Sequence, residues 1–307
     1  MRMKLFLIFT HHHLITHTNF VCVCVPCTTC TITFPYLYMD EPTKSTWITS
    51  AFVQNKYRCY EIPARLSPLK CLSMPFTIII RRLMNPPAKK NEAYQPTTVE
   101  QTANIITHGF FVLPAVYAMY LLHQNSQMLS ASHRLIALVY GVAFILIFLI
   151  STLFHAVSLT GKARSLRFFL HLSDRGIIYF FIAASYMPWL VLRDAGKFGD
   201  LFTWLLWCLA VTGTIYSYMF HERYKTVETA LYLIIGICPS LPLVFSTTDR
   251  AGLAEVALGG AFYVSGVVFF KSDGRIPFAH AIWHLFCATG AWCHFYAVYT
   301  HLYLEKH

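Results

Sequence analysis

Two histidines four residues apart, His280 and His284, sit in a run that is otherwise apolar and aromatic. At that spacing both imidazoles rise from one helical face, which is how a helix offers two nitrogens to a single ion. Alone the pair says little, because the chain has 15 histidines. It gains meaning from three more polar residues in apolar surroundings: Ser151 and His155, also four apart, and Asp174. An ionisable group inside such a run is costly and marks function by default. Three neutral imidazoles would leave one position of a tetrahedral zinc open for water, the pattern of a catalytic rather than a closed structural site. Asp174 then suits holding or deprotonating that water, and Ser151 suits a hydrogen bond to the water or to a substrate oxygen. Plainer readings stand beside these: Ser151 back-bonding to its own helix, or Asp174 and Arg175 forming an ion pair without metal. His171 is the alternative ligand. His108, His123, His133, His221, His294 and His301 are expected at other depths or in connections, interfacial or packed.

The chain that must position these groups is not built for water. Of its 307 residues 56% are apolar and 12% charged, with a mean hydropathy of +0.50; soluble domains carry roughly 25% charged residues. Soluble enzymes, disordered tails and collagen-like fibres are excluded. The net charge of +10 does not point to nucleic acid, because lysine and arginine form short clusters between apolar runs and no basic stripe. A bilayer core about 30 Å thick takes roughly 20 helical residues. Seven runs of that order occur, over residues 103–122, 135–154, 176–192, 201–220, 229–246, 251–270 and 278–302. They lack the alternation of barrel strands, so the expected fold is an all-α integral membrane bundle of seven transmembrane helices.

Twelve lysines and arginines fall on one side of that arrangement and five on the other. This places the N-terminus in the cytoplasm and the C-terminus outside or in a lumen. His155, Asp174, His280 and His284 then reach the same cytoplasmic leaflet. Pro114, Pro188, Pro239 and Pro242 predict kinks. Tyr186, Trp189, Trp204, Tyr299 and Tyr303 suit interfacial belts, and residues 162–169 form a basic amphipathic stretch that lies on headgroups or serves as a linker.

Ahead of the spans the character changes. Residues 1–10 resemble a signal peptide, but His11, His12 and His13 follow before any small-residue cleavage site, and cleavage would contradict the charge count. Cys22, Cys24, Cys27 and Cys30 lack the second half of a zinc clip. With a composition shift near Met74, residues 1–75 are expected to be a poorly structured or mis-assigned extension, and 76–307 the functional membrane domain.

The segments Ser151-Thr-Leu-Phe-His155, Ser173-Asp174-Arg175 and Pro277-Phe-Ala-His280-Ala-Ile-Trp-His284 resemble the three motifs of the progestin and adipoQ receptor family, related to hemolysin III. The likeness covers roughly residues 76–303. The runs Tyr179-Phe-Phe-Ile-Ala-Ala-Ser-Tyr186 and Val267-Val-Phe-Phe-Lys-Ser-Asp-Gly274 resemble one branch of it more narrowly. The resemblance implies seven helices with a cytoplasmic N-terminus, zinc held by His155, His280 and His284, and membrane lipid and signalling proteins as partners. In adiponectin-receptor members the site is associated with ceramide hydrolysis, where zinc-bound water would attack the amide carbonyl and Asp174 would shuttle the proton. The narrower branch is associated with Golgi and late endosomal or lysosomal membranes and with promoting kinase signalling. Two functions are therefore expected: a signalling receptor or modulator with an intramembrane zinc site and, as the alternative, a zinc-dependent, ceramidase-like lipid amidohydrolase. A channel or pump has no support, since the spans carry no ladder of charges.

Overall fold

The computed structural model describes residues 83–193, 197–240 and 250–304, all within one compact unit. The N-terminal readings, from the signal-like start through the four clustered cysteines to the extension 1–75, lie outside the described residues. So do Pro242 and the end of the fifth expected span.

Helix α1 (Thr98–Ser126) begins with a reciprocal cap. The Thr97 hydroxyl accepts the Glu100 N–H at 3.2 Å, and Glu100 Oε2 accepts the Thr97 N–H at 2.9 Å, so two donors otherwise orphaned by the helix start are satisfied. Helix α2 (Ala131–Thr160) is capped by Ser130 and stops at Gly161, whose φ of 67° is the left-handed turn that glycine adopts without a Cβ penalty. Helix α3 (Arg164–Val191) absorbs the basic stretch as its own first turns. That stretch is neither a separate surface helix nor a linker. Helices α4 (Lys197–Met219), α5 (Lys225–Ile237), α6 (Leu253–Phe270) and α7 (Ala279–Val298) follow, and a π-helical turn, Tyr299–Leu304, extends α7.

The described residues contain these seven helices and no strand. Four segments, Thr98–Ser126, Ala131–Thr160, Gly199–Met219 and Leu253–Phe270, are long and apolar enough to cross a membrane. The other three helices depart from that standard for visible reasons. Helix α3 carries Arg164, Arg167, Asp174 and Arg175, and α7 carries His280, His284 and His294. Helix α5 has only 13 residues and ends at Ile237, two before Pro239, which has no N–H to continue the ladder. Pro114 and Pro188 lie inside α1 and α3 without ending them.

Helix α1 packs on α2, α2 on α3, α3 on α4 and α6 on α7, while α7 also meets α1. The centre is aromatic: Phe144 stacks on Phe295 at 5.5 Å and meets Phe148 and Trp292 edge-on at 5.6 and 5.1 Å. Outward faces are apolar too, with Phe110, Leu113 and Trp204 70%, 78% and 73% exposed. Lipid is the solvent that tolerates such a surface, and in lipid helices associate through close packing rather than through expelled water. Gly213 serves that packing, because a Cβ there would collide with the buried Tyr179 ring of α3. The expected aromatic belt needs correction at three positions, the first being Tyr186, which is buried and donates to the Gly236 carbonyl. Trp189 is buried under the Arg193 guanidinium, 4.7 Å from its ring. Tyr303 is buried and donates to the His133 carbonyl at 2.9 Å. All three are packing residues.

Candidate metal centre

Helix α2 supplies Ser151 and His155, α3 supplies Asp174, and the first turns of α7 supply His280 and His284. The three imidazoles converge. Ring centroids of His155 lie 5.3 Å from His280 and 5.2 Å from His284, and the α7 pair is 4.7 Å apart. One nitrogen from each lies within 4.8 Å of the other two, a group that could hold a metal ion. Tetrahedral ligands at about 2.0–2.1 Å from zinc stand roughly 3.4 Å apart, so small ring rotations close the remaining gap.

The hydrogen bonds behind the rings decide which nitrogens face inward. His155 Nδ1 lies 2.7 Å from Gln101 Oε1, an acceptor only, so Nδ1 carries the proton. His284 Nδ1 lies 3.1 Å from the Thr107 hydroxyl, whose own proton is committed to the backbone carbonyl of Ala103 at 2.9 Å; Nδ1 is therefore the donor. His280 Nδ1 faces the Asp273 carboxylate at 3.6 Å. With Nδ1 of each ring engaged on its far side, Nε2 is the nitrogen each would offer to an ion, and His155 Nε2 is buried with no hydrogen-bond partner. Metal-binding histidines are held in this manner, by an acceptor on the far nitrogen. The donor set thus fits a divalent ion.

Asp174 faces Ser151 and His280. Ser151 is 2% exposed and its hydroxyl makes no back-bond to its own helix, which corrects the back-bonded reading; it lies on the Asp174 side of the centre instead. Arg175 also departs from expectation. Its guanidinium pairs with Glu222 and, at 3.1 Å, with Glu228, instead of with Asp174. His171, the alternative ligand, belongs to a different cluster with His221 and Glu222. There it stacks on Phe154 at 4.7 Å, and the Glu222 carboxylate is occupied by Arg175 and Lys225. Burial and the nearby Arg175 push the His221 imidazole below its ordinary value.

Helix α1 and the loop before α7 contribute what the sequence reading missed. Gln101, Asn104 and His108 fall at helical spacing on the buried face of α1, and a polar stripe on an apolar helix was the available signal. His108, expected to be interfacial or packed away from the site, stacks on His284 at 3.7 Å. Asp273 sits in a turn where Gly274 has φ 74°, and Phe278, which starts α7, takes φ 58°. Left-handed backbone at a bulky residue is costly and tends to be kept where it places a functional group; here it launches the helix that carries His280 and His284.

A cavity of about 1150 Å³ opens from the centre into the helix bundle. Ser151, His155, Asp174, His280 and His284 line it, its walls include Ile178, Ile182, Val256, Val264 and Trp283, and Arg164, Arg167 and Lys271 also border it. Small-molecule pockets run to roughly 1000 Å³, so this space takes a larger apolar guest.

Replacing Gln101 by Leu is expected to lower metal affinity about 10–100-fold without unfolding the protein, because His155 loses the acceptor that fixes its tautomer. Competition with a chelator of known affinity measures this, and an unchanged affinity would remove Gln101 from the design.

Residues 97–295 match the family described as haemolysin-III related. The chain is 46% identical over 231 residues to the monocyte to macrophage differentiation factor of Rattus norvegicus, and equally to that of Homo sapiens; each match covers 75% of this chain and 96% of the relative. Hemolysin-3 of Bacillus cereus is 32% identical over 202 residues, covering 65% of this chain and 90% of its own length.

Proposed function

Because the chain belongs to the haemolysin III-related family, which takes in the progestin and adipoQ receptors, and because one nitrogen from each of its three histidines lies within 4.8 Å of the other two, we propose that it is a zinc-holding membrane protein that binds a lipid and modulates signalling. In this reading seven spans run from a cytoplasmic N-terminus, the protein resides in Golgi or late endosomal and lysosomal membranes, and its output is the promotion of kinase signalling. The observation that carries it is the buried, unpartnered His155 Nε2 beside the rings of His280 and His284. Leaving such an acceptor unsatisfied costs about 1–3 kcal/mol, and a bound cation removes that cost. Gln101, Thr107 and Asp273 hold the rings in register, and the apolar cavity walls receive the lipid tail. A tag placed after His307 and inaccessible from the cytosol in sealed membranes supports the topology; cytosolic access overturns it.

A second reading, a lipid amidohydrolase, is favoured by the Ser151–Asp174 side of the cavity. Zinc, when bound, would supply a Lewis acid there. Asp174 would take and return the proton, and the buried Ser151 hydroxyl would hydrogen-bond the amide. Zinc-loaded protein in ceramide-containing vesicles separates the readings. If neither wild type nor Asp174→Asn releases sphingosine, the protein is a modulator. Release by wild type that falls at least about 100-fold in Asp174→Asn, with metal retained, makes it a hydrolase.

A further inference from the structure

The far end of the cavity is polar again. One face of α7 lines the space from His280 and His284 through Cys287 and Ala291 to His294, at the alternating intervals of four and three residues that stack side chains along a helix. Ten residues of helix rise about 15 Å, so His294 stands well away from the metal centre at His284. There it meets Tyr263 of α6, with ring centroids 5.7 Å apart, and both residues line the cavity. The Tyr263 hydroxyl and His294 Nε2 are buried without a hydrogen-bond partner. Phenylalanine and leucine would fill this space without the desolvation cost that each orphaned group carries. The two backbones are also cut away to seat these rings. A Cβ at Gly259 on α6 would collide with His294, and one at Gly290 on α7 would stand 2.9 Å from the Tyr263 ring and 3.0 Å from the Gly259 carbonyl. Each helix gives up a side chain where the other places a polar ring.

We propose that Tyr263 and His294 form a second polar subsite that binds a hydroxyl carried on the guest's chain, so that the cavity selects a chain polar at both ends over one that ends in a plain methyl group. A hydroxyl both donates and accepts, and so does the Tyr263 phenol, so the pair is satisfied by it in either tautomer of His294. A methyl terminus satisfies neither group and leaves both desolvated. Between the two polar ends the α7 wall is Cys287 and Ala291, and α6 adds Val256, Gly260 and Val264, so the middle of the guest must be apolar. The spacing also sets a length, because the roughly 15 Å from His284 to His294 is spanned by an extended chain of about twelve carbons. This inference rests on the lipid-binding reading of the cavity and deepens it with a second site and a chain-length rule.

The test uses the full-length protein in phosphatidylcholine nanodiscs beside empty nanodiscs, which cancels partition into the bilayer, and reads uptake of radiolabelled 1-dodecanol, 1,12-dodecanediol, 1-octanol and 1,8-octanediol. Wild type is expected to hold 1,12-dodecanediol about tenfold more tightly than 1-dodecanol, the discrimination a satisfied hydrogen bond gives in a buried site. The eight-carbon diol is expected to show no such gain over 1-octanol, because its second hydroxyl stops short of the far subsite. Tyr263→Phe removes one oxygen and leaves the ring seated against Gly290; it is expected to erase most of the twelve-carbon preference with metal content unchanged. His294→Leu is expected to do the same, and Tyr263→Phe keeps the test decisive if that variant does not fold. The inference is overturned if the wild type shows no preference at twelve carbons, if it shows the same preference at eight, or if Tyr263→Phe keeps it. Equal binding of alcohol and diol strikes the subsite and leaves the lipid-binding reading standing, whereas binding of neither strikes both. A wild type without zinc that still prefers the twelve-carbon diol keeps the subsite and strikes the zinc reading.

Discussion

Protein in which His280 and His284 are both alanine is expected to retain less than about one tenth of the metal held per chain by the wild type. A zinc site formed at neutral pH is worth on the order of 12 kcal/mol. If three imidazoles share that evenly, losing two leaves roughly 4 kcal/mol, a millimolar affinity that purification strips away. The change is local. Both residues lie in the first turns of α7, alanine favours helix more than histidine does, and the turn that starts the helix at Phe278 is untouched. Elemental analysis after gel filtration, with the thermal midpoint recorded beside it, checks the expectation. A wild type without stoichiometric zinc, or a double variant that keeps it, leaves these histidines without their role. His155→Ala on α2 should weaken the site less, because two remaining imidazoles leave roughly 8 kcal/mol, a micromolar affinity.

The part of this centre that the sequence disclosed was the part made of costly residues. His155, Asp174, His280 and His284 stood out because an ionisable side chain among apolar neighbours needs a reason, and the four-residue interval put two of them on one face. Gln101, Asn104 and Thr107 are polar without being ionisable and so passed that filter unseen, although Gln101 and Asn104 occupy the buried face of α1. His108 was judged by depth in a span beginning at residue 103. The helix begins at Thr98, where the Thr97–Glu100 cap sets it, and the packing of α7 against α1 brings His108 to His284. Contacts between helices more than 150 residues apart are not written in local periodicity. Four helices were legible as apolar spans for the same reason the centre was, since composition alone carries that signal. Helix α5 ends at Ile237, two residues before Pro239, whose missing N–H hydropathy does not register.

The Arg175 cluster is the other place where a single substitution should have a large effect, and here the readout is stability. Arg175→Leu is expected to destabilise the protein by about 3–5 kcal/mol, the penalty for leaving buried carboxylates without their cation. The Arg175 side chain is 15% exposed and those of Glu222 and Glu228 are 8% and 9% exposed, so water replaces little of what is lost. Ser217 donates to Glu228 at 2.5 Å and Tyr232 at 3.2 Å; Tyr232 also approaches the Arg175 carbonyl at 3.1 Å. These neutral donors cannot balance a second negative charge, and Lys225, 2.5 Å from Glu222, serves only one of the two carboxylates. Glu222 also holds a left-handed backbone, φ 63°, that the ion pairs keep in place. Arg175→Leu combined with Glu228→Leu should recover most of the loss, because removing both charges takes away the desolvation cost along with the attraction. Thermal and denaturant unfolding in detergent, with metal content as a control that should not change, measures the cycle. A loss under about 1 kcal/mol for Arg175→Leu would place the cluster with solvated surface pairs and would mean that packing, not charge, joins α3 to the start of α5.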